Sequence, residues 1–372
     1  MRLCFIGNAS SYHVSRWLRY FGKSRHETHC ISNDAADISG VCVHHIKNRY
    51  AAFGSRHLFF PRYYYETKKL IHELQPDVIH GLQINLYSYL AMHSGWRPFV
   101  ITPFGGDVLV NPKKSKIAKH MAQYCLTKAN LITTDADHIQ DTLVGLGAVK
   151  SNIRTIYFAT DVDQYYPMPK DNNLMNKLGI GSCPCVVSMR HLMPIYNIET
   201  LIKSIPIVLA QQPDVKYLIV SRGPDEDMLK GLAAALGVLK SIIWLGFLPT
   251  EELPKYLNLG DLYVSTSLSD AGLASSTGEA MACGLPAIIT DFGDNSQWVQ
   301  DGVNGFTFPM KDHEALADRI LRLVADTNMR KLMGKRNREV IKERYNWAKE
   351  MGKMEEFYNQ LASRQKVHEH GR

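Results

Sequence analysis

The longest apolar stretches of this chain fall short of the ~18 residues that a membrane-crossing helix needs, so no spanning segment is expected. Cysteine is sparse. The seven thiols (Cys4, Cys30, Cys42, Cys125, Cys183, Cys185 and Cys283) are odd in number and scattered, which excludes a paired disulfide framework. Buried free thiols in a reducing cytosol are the simpler expectation. Metal-ligand spacing is missing as well: Cys183 and Cys185 merely alternate at the start of a strand. No metal and no resident cofactor are therefore expected. The glycine fingerprint of dinucleotide-binding proteins is lacking, since a lone Gly7 follows the first strand pattern. No nucleic-acid-binding motif, short-period repeat or low-complexity tract is present. The opening MRLCFIGNAS is too short for a signal peptide and reads as a first buried strand, which points to a cytoplasmic protein.

What the chain does have is an ordinary globular composition, 45% hydrophobic and 21% charged, over 372 residues, enough for two domains with a sizeable core each. A net charge of +7 favours anionic partners; nucleotides, phospholipid head groups and nucleic acid all qualify on charge alone. Lys113, Lys114, Lys116 and Lys119 form the densest basic cluster. Arg56, Arg62, Lys68 and Lys69 are interleaved with Phe59, Phe60, Tyr63, Tyr64 and Tyr65. Such a mixture marks either a contact with an anionic membrane or a solvated helix face over a partly buried aromatic segment.

Apolar strand patterns alternate with amphipathic helix patterns almost throughout, the signature of an α/β chain. Strands are expected at 3–6, 28–31, 78–79, 99–102 and 131–134. A second set follows at 185–188, 216–220, 242–244, 262–264 and 287–290. Between the sets, YYPMPKDNN at 165–173 breaks the pattern and is the candidate linker. The expected organisation is a Rossmann-like domain over 1–168, a second over 169–345, and a polar amphipathic helix from 346 to 372.

The most informative stretch is Asp261–Thr290, DLYVSTSLSDAGLASSTGEAMACGLPAIIT. It reads as strand, small-residue loop, helix and strand, with Gly284 and Pro286 ending the helix. A small-residue loop entering a helix lets backbone N–H groups close on a phosphate. Ser275, Ser276 and Thr277 add hydroxyls, and Glu279, one turn in, suits a ribose diol. A nucleoside diphosphate is the expected ligand; an ordinary strand–loop–helix crossover without a ligand is the alternative.

SDAGLASSTGEAMACGLPAI resembles the donor-site segment of glycosyltransferase family 4, retaining nucleotide-sugar enzymes of the GT-B fold. The resemblance implies two Rossmann-like domains facing an interdomain cleft, with a last helix returning to the first domain. Glu279 matches the family's second acid, which binds the ribose. The first acid is displaced: Ala271 holds its place and Asp270 lies beside it. The backbone of Gly272 and Leu273, or Asp270, is then implied to hold the donor sugar. SMRHLMPIYN resembles the family's R-x-x-P-x-K-G; Arg190 matches the arginine that grips the diphosphate, while Tyr196 occupies the lysine position. Gly223 belongs to a loop resembling G-x-G-P, with Ser221 at the first glycine. Gly246, Phe247 and Leu248 stand where the family reads the nucleobase, and Asp294–Asn295 stand near a further glutamate.

In the first domain, GNASSYH supplies Gly7 as a donor-binding candidate and Ser10 and His13 as acceptor-side candidates, and TPFGGD, resembling T-x-H-G-x-D, supplies Gly105 and Asp107 to the acceptor side, where Asp107 either orients a sugar hydroxyl or caps a helix, with Phe104 at the histidine position. PDVIHGL keeps Pro76, Asp77 and His80 but has Leu82 in place of a second histidine. The implied activity is retaining, metal-independent hexosyl transfer from a nucleoside diphosphate sugar, UDP-sugar favoured and GDP-sugar the alternative. The acceptor is a glycan or lipid-linked glycan of the cell surface, and Arg190, Asp270 and Glu279 are the catalytic candidates. A sugar-nucleotide epimerase and a non-catalytic nucleotide-sugar binding protein are the rival readings. No nucleic acid is expected as partner.

Overall fold

The computed structural model describes residues 1–47, 56–136, 139–270 and 272–370; the side chains of 56–60 and 366–370 lie outside that description, as do Ala271 and the expected membrane-contact residues Arg56, Phe59 and Phe60 as side chains. The chain divides into two compact units, Met1–Ile156 with Met351–Arg372, and Tyr157–Glu350.

The first unit carries a seven-stranded parallel sheet. Its strands are β1 (Arg2–Ile6), β2 (Glu27–Ser32), β3 (Val41–His45), β4 (Val78–Leu82), β5 (Phe99–Thr102), β6 (Leu131–Thr134) and β7 (Ile153–Thr155), in the order β3-β2-β1-β4-β5-β6-β7. A parallel sheet is covered by helices on both faces, which is why LCFI and FVIT are continuous apolar runs rather than alternating ones. Phe5, Trp17, Phe21, Ile79 and Ile101 are fully buried around this sheet; each such side chain contributes about 1.5–3 kcal/mol on burial.

The last helix, Trp347–His370, supplies Tyr358 to the same core. Its ring lies 5.4 Å from Phe21, and its hydroxyl bonds His80 Nδ1 on β4. His80 Nε2 meets Thr102 Oγ1 at 2.6 Å, and Thr102 in turn meets Thr133. Every member is buried, so each polar group is satisfied only by the others. Burial pushes the His80 imidazole down to a pKa of about 3.

The second unit repeats the plan with six parallel strands: β8 (Cys185–Ser188), β9 (Lys216–Val220), β10 (Ile242–Gly246), β11 (Leu262–Ser265), β12 (Ala287–Thr290) and β13 (Gly305–Phe308), ordered β10-β9-β8-β11-β12-β13. In both sheets the first strand of the unit is flanked on one side by the next strand and on the other by a later one. The order reverses at β1/β4 and at β8/β11, and ligands of open parallel sheets bind outside the carboxyl ends of the strands at that reversal.

The division at Ile156/Tyr157 falls before the expected linker, and 165–173 belongs to the second unit. Tyr165 is 2% exposed. Asn258 holds the Met168 N–H at 2.7 Å and the Tyr166 carbonyl at 3.1 Å, and the Arg338 guanidinium donates to the carbonyls of Val162 and Tyr165. The prolines of this segment break secondary structure without freeing the chain, because its backbone groups are taken up by these two side chains.

Candidate active site

Arg190 lies two residues beyond β8 and is 8% exposed. Its Nη2 pairs with Asp270 Oδ1 and reaches Ser267 Oγ at 3.5 Å; its Nη1 reaches Ser276 Oγ at 3.5 Å. The guanidinium carbon lies 4.3 Å from the centre of the Tyr196 ring. So the residue at the family's lysine position does not supply a second cation; it stacks on the first, an arrangement that suits a planar guanidinium. Tyr196 is held there by its own carbonyl, which accepts from Thr266 Oγ1 at 2.8 Å. Arg190 Nε is buried and makes no hydrogen bond among the described residues, and neither does the nearby Ser188 Oγ at the end of β8. A buried guanidinium N–H without a protein acceptor is uncommon, and it leaves Arg190 a donor to spare.

Asp270 sits in the loop after β11, across the reversal point from Arg190. Burial raises its pKa, and the Arg190 charge offsets that rise only in part. The same loop is pinned from behind: Thr290 Oγ1 donates to the Ser267 carbonyl at 2.7 Å, and the Leu268 N–H donates to the Ile195 carbonyl at 2.8 Å.

The helix Ser275–Ala282 begins one turn beyond. Its N-cap is Ala274, which has no side-chain acceptor. A serine, threonine or aspartate there would satisfy the first N–H groups and add about 1 kcal/mol. With alanine, and with no acidic residue in the first turn, the positive end of the helix stays uncompensated beside Arg190. Ser276 Oγ accepts from Tyr263 OH at 2.7 Å, which aims the serine at the guanidinium. Thr277 and Glu279 are buried at 2% and 7% exposure, and Leu273 at 5%, its carbonyl accepting from Tyr345 OH at 2.8 Å. Gly272 and Ser275 are half-buried in this loop and helix start.

The loops after β9 and β10 complete this face of the second unit. A Cβ at Gly223 would stand 2.1 Å from the Leu192 carbonyl oxygen, so only glycine lets the two loops touch. Ser221, at the other glycine position of the motif, takes φ 144°, a conformation that favours glycine. Its hydroxyl is fixed at 2.9 Å from His191 Nδ1. Gly246 has φ 67° and lies against the Arg222 guanidinium, whose Nε would be 3.0 Å from an added Cβ. Phe247 is 71% exposed and Leu248 half-buried. Asn295 is buried and donates to the Thr290 carbonyl at 2.9 Å, so it braces a strand end instead of facing outward.

In the first unit the expected residues gather outside the ends of β1 and β5. Gly7 packs on Val14 and Leu82. Ser11, not Ser10, caps the helix Tyr12–Gly22; Ser10 Oγ bonds Asn8 at 2.7 Å. The His13 ring lies 5.5 Å from Phe104, which brings the two loops together. That packing removes water from the imidazole and, with the Arg16 charge, lowers its pKa although part of the side chain stays exposed. Gly105 has φ 94° and starts the short helix Gly106–Leu109. Asp107 is 3% exposed; its Oδ2 accepts from the Ile84 N–H at 2.7 Å and its Oδ1 from the Phe104 N–H at 3.0 Å. It ties the loop after β4 to the loop after β5. Burial, only partly countered by those hydrogen bonds, raises its pKa to about 6.

Comparison with known proteins finds glycosyltransferases. The family described as "Glycosyl transferases group 1" matches residues 171–340, and "Glycosyl transferase 4-like" matches residues 2–136. A GDP-mannose-dependent alpha-(1-6)-phosphatidylinositol monomannoside mannosyltransferase of Mycolicibacterium smegmatis is 28% identical over 69% of this chain and 69% of its own. Spore coat protein SA of Bacillus subtilis is 24% identical over 62% of this chain and 65% of its own, so the chain spans about two thirds of the length of these relatives. The fold matches that of Anabaena HepE in complex with UDP-glucose, with a TM-score of 0.80 at 19% identity, covering 97% of this chain and all of that one. Among the described residues, no helix is long and apolar enough to cross a membrane.

Proposed function

We propose that this chain, which belongs to glycosyltransferase family 4 and is a nucleotide-sugar-dependent glycosyltransferase of the GT-B fold, transfers a hexose with retention of configuration to a glycan or lipid-linked acceptor. The observation that carries the reading is the buried Arg190 beside an uncapped helix start. Cleaving the bond between the anomeric carbon and the diphosphate leaves negative charge on the leaving group. Arg190 and the N–H groups of Ser275 and Ser276 stabilise that charge as it builds, and they do so without a divalent ion. The acceptor oxygen attacks from the face the diphosphate leaves, and its proton passes to the departing phosphate oxygen.

In this reading the diphosphate takes Arg190 over from Asp270. The released carboxylate then faces the donor sugar, together with the backbone of Gly272 and Leu273. Glu279 holds the ribose, Gly223 lets the diphosphate approach the backbone, and Gly246, Phe247 and Leu248 wall the base. Ser10, His13 and Gly105 serve the acceptor side, with Gly7 among the donor-binding residues and Asp107 fixing the loop that carries Gly105. An epimerase needs acid and base groups at the sugar, and the buried, doubly bonded His80 offers neither.

The mycobacterial relative is named for GDP-mannose and HepE was solved with UDP-glucose, so the base is what a thermal-shift panel of nucleoside diphosphates and their sugars, run without metal, has to read. One diphosphate should raise the melting temperature through mass action. Glu279→Ala removes a charged acceptor and should weaken that binding roughly 10- to 100-fold. A panel without any shift would sink the donor-site reading.

The acceptor side is proposed to work on the cytoplasmic face of an anionic membrane. Lys113, Lys114, Lys116 and Lys119 are exposed, next to an Ile117 that is 74% exposed and a Val110 that is 43% exposed. Co-sedimentation with phosphatidylglycerol vesicles should be strong at low salt, fall as salt screens the lysines, and drop several-fold in Lys113→Glu/Lys116→Glu. Equal binding to phosphatidylcholine vesicles counts against it.

A further inference from the structure

Far from the donor residues in sequence, β2 and β3 bring three side chains together at the edge of the first sheet. β3 is the terminal strand of that sheet, and the parallel register sets His29 opposite Cys42 and Ile31 opposite His44. Cys42 and His44 are two apart on β3 and so share a face. A ring nitrogen of each histidine and Cys42 Sγ all lie within 4.8 Å of one another, the one such group of three histidine, cysteine or acidic side chains among the described residues. His29 Nδ1 stands 3.0 Å from His44 Nε2, the rings stacked with centres 5.2 Å apart. On its far side, His29 Nε2 meets Glu27 Oε1 at 3.0 Å, and Glu27 is itself paired with Arg2 at 2.9 Å.

We propose that His29, Cys42 and His44 form a binding site for one Zn2+ ion per chain. Two nitrogens bound to one tetrahedral zinc at about 2.1 Å stand roughly 3.4 Å apart. The His29–His44 pair therefore needs to open by only a few tenths of an ångström. Cys42 is a free, exposed thiol, so its Sγ can swing to the ion, and the edge position leaves an entry path and a fourth position for water. Two imidazoles and a thiolate suit a borderline ion such as zinc and do not suit Mg2+ or Ca2+. The Glu27 carboxylate behind His29 would accept the hydrogen bond of its Nε2–H, which keeps the proton on that nitrogen and leaves the Nδ1 lone pair for the ion. The ion would clip the edge strand β3 to β2. It has no part in the sugar transfer, whose residues lie in the other unit and after β1 and β5.

The test uses the full chain, freed of any affinity tag and treated with a chelator. Co2+ titration should saturate at one ion per chain, with a thiolate-to-cobalt charge-transfer band and the visible bands of tetrahedral cobalt, and Zn2+ should displace it. Cys42→Ser should abolish the charge-transfer band and His44→Ala should weaken binding at least tenfold. Circular dichroism and melting without metal check that both variants fold; His29→Gln provides a further ligand deletion if either does not. The proposal is overturned if wild type takes up no cobalt, if the bound cobalt shows no thiolate band, or if Cys42→Ser binds as wild type does. Any of these outcomes means that the two histidines are simply hydrogen-bonded to each other. Nucleotide binding by the Glu279 panel is unaffected either way, so the two readings fail separately.

Discussion

Arg190→Ala is expected to lower turnover by about 10²–10³-fold, the effect of removing one preorganised group that faces charge developing in the transition state. The affinity for the nucleoside diphosphate should change much less, because the ribose, the base and the helix N–H groups still hold it. Removing one partner of a buried ion pair ordinarily costs 3–5 kcal/mol. Here the cost is relieved, since burial already raises the Asp270 pKa and the carboxyl left behind takes up a proton. The variant should therefore fold. Arg190→Lys should recover little: one ammonium cannot reach Asp270, Ser267 and Ser276 together, and it gives up a planar fork stacked on Tyr196. Steady-state kinetics with a donor fixed by the thermal-shift panel decides the matter. A wild-type kcat in purified Arg190→Ala, with Asp270→Asn as the control for the freed carboxylate, removes Arg190 from the leaving-group role.

The sequence was most legible where burial leaves a continuous pattern. The apolar runs of β5, β6, β8, β9 and β12 have the ends that their patterns predict, because a strand covered on both faces admits only apolar or small residues. β3 and β7 escaped. VCVHH and IRT lie at the two edges of the first sheet, are partly exposed and carry histidine and arginine, so no hydrophobic pattern marks them. Missing β3 also meant missing the His29–Cys42–His44 group. Its ligands come from neighbouring strands, and only the parallel register of β2 and β3 makes them adjacent.

The proposed donor residues stand out in the sequence for a different reason. Loop and helix start are contiguous in sequence, and the glycines that allow close approach cannot be exchanged, as the 2.1 Å clearance at Gly223 shows. Tyr196 was legible only as a lysine that is missing. Its stacking under Arg190 depends on the Thr266 hydrogen bond across the sheet, which no spacing reveals. Asp107 left two readings open, orienting a sugar hydroxyl or capping a helix; both its oxygens accept from backbone N–H groups, of Ile84 and Phe104, in two loops.

The largest pH effect is expected from His80. Its folded pKa of about 3 lies far below the ordinary 6.5, because burial disfavours the charged ring. Unfolded chains bind a proton below pH 6.5 that the folded chain refuses, so stability is full above that pH and is lost as pH falls toward 3. The gap amounts to on the order of 5 kcal/mol at the acid end. Asp107 acts in the opposite sense. Its pKa is raised to about 6 from 3.8, so its contribution is fully present below pH 3.8 and is lost as pH rises through 6. This offsets part of the His80 loss, roughly 3 kcal/mol by the same relation. Both groups sit in the first unit, whose melting should therefore weaken on acidification by less than His80 alone would give. His80→Gln keeps a donor for Thr102 and cannot titrate. It should be less stable than wild type at pH 7, by about 1–3 kcal/mol for the disturbed bonds to Tyr358 and Thr102. Between pH 6 and 4 it should lose less stability than wild type, because Asp107 adds stability there and no imidazole offsets it. Thermal melts of the two proteins at half-unit pH intervals test this directly. Parallel curves would mean that the buried imidazole already carries its proton in the folded chain, shared with Tyr358 and Thr102 instead of being excluded by burial.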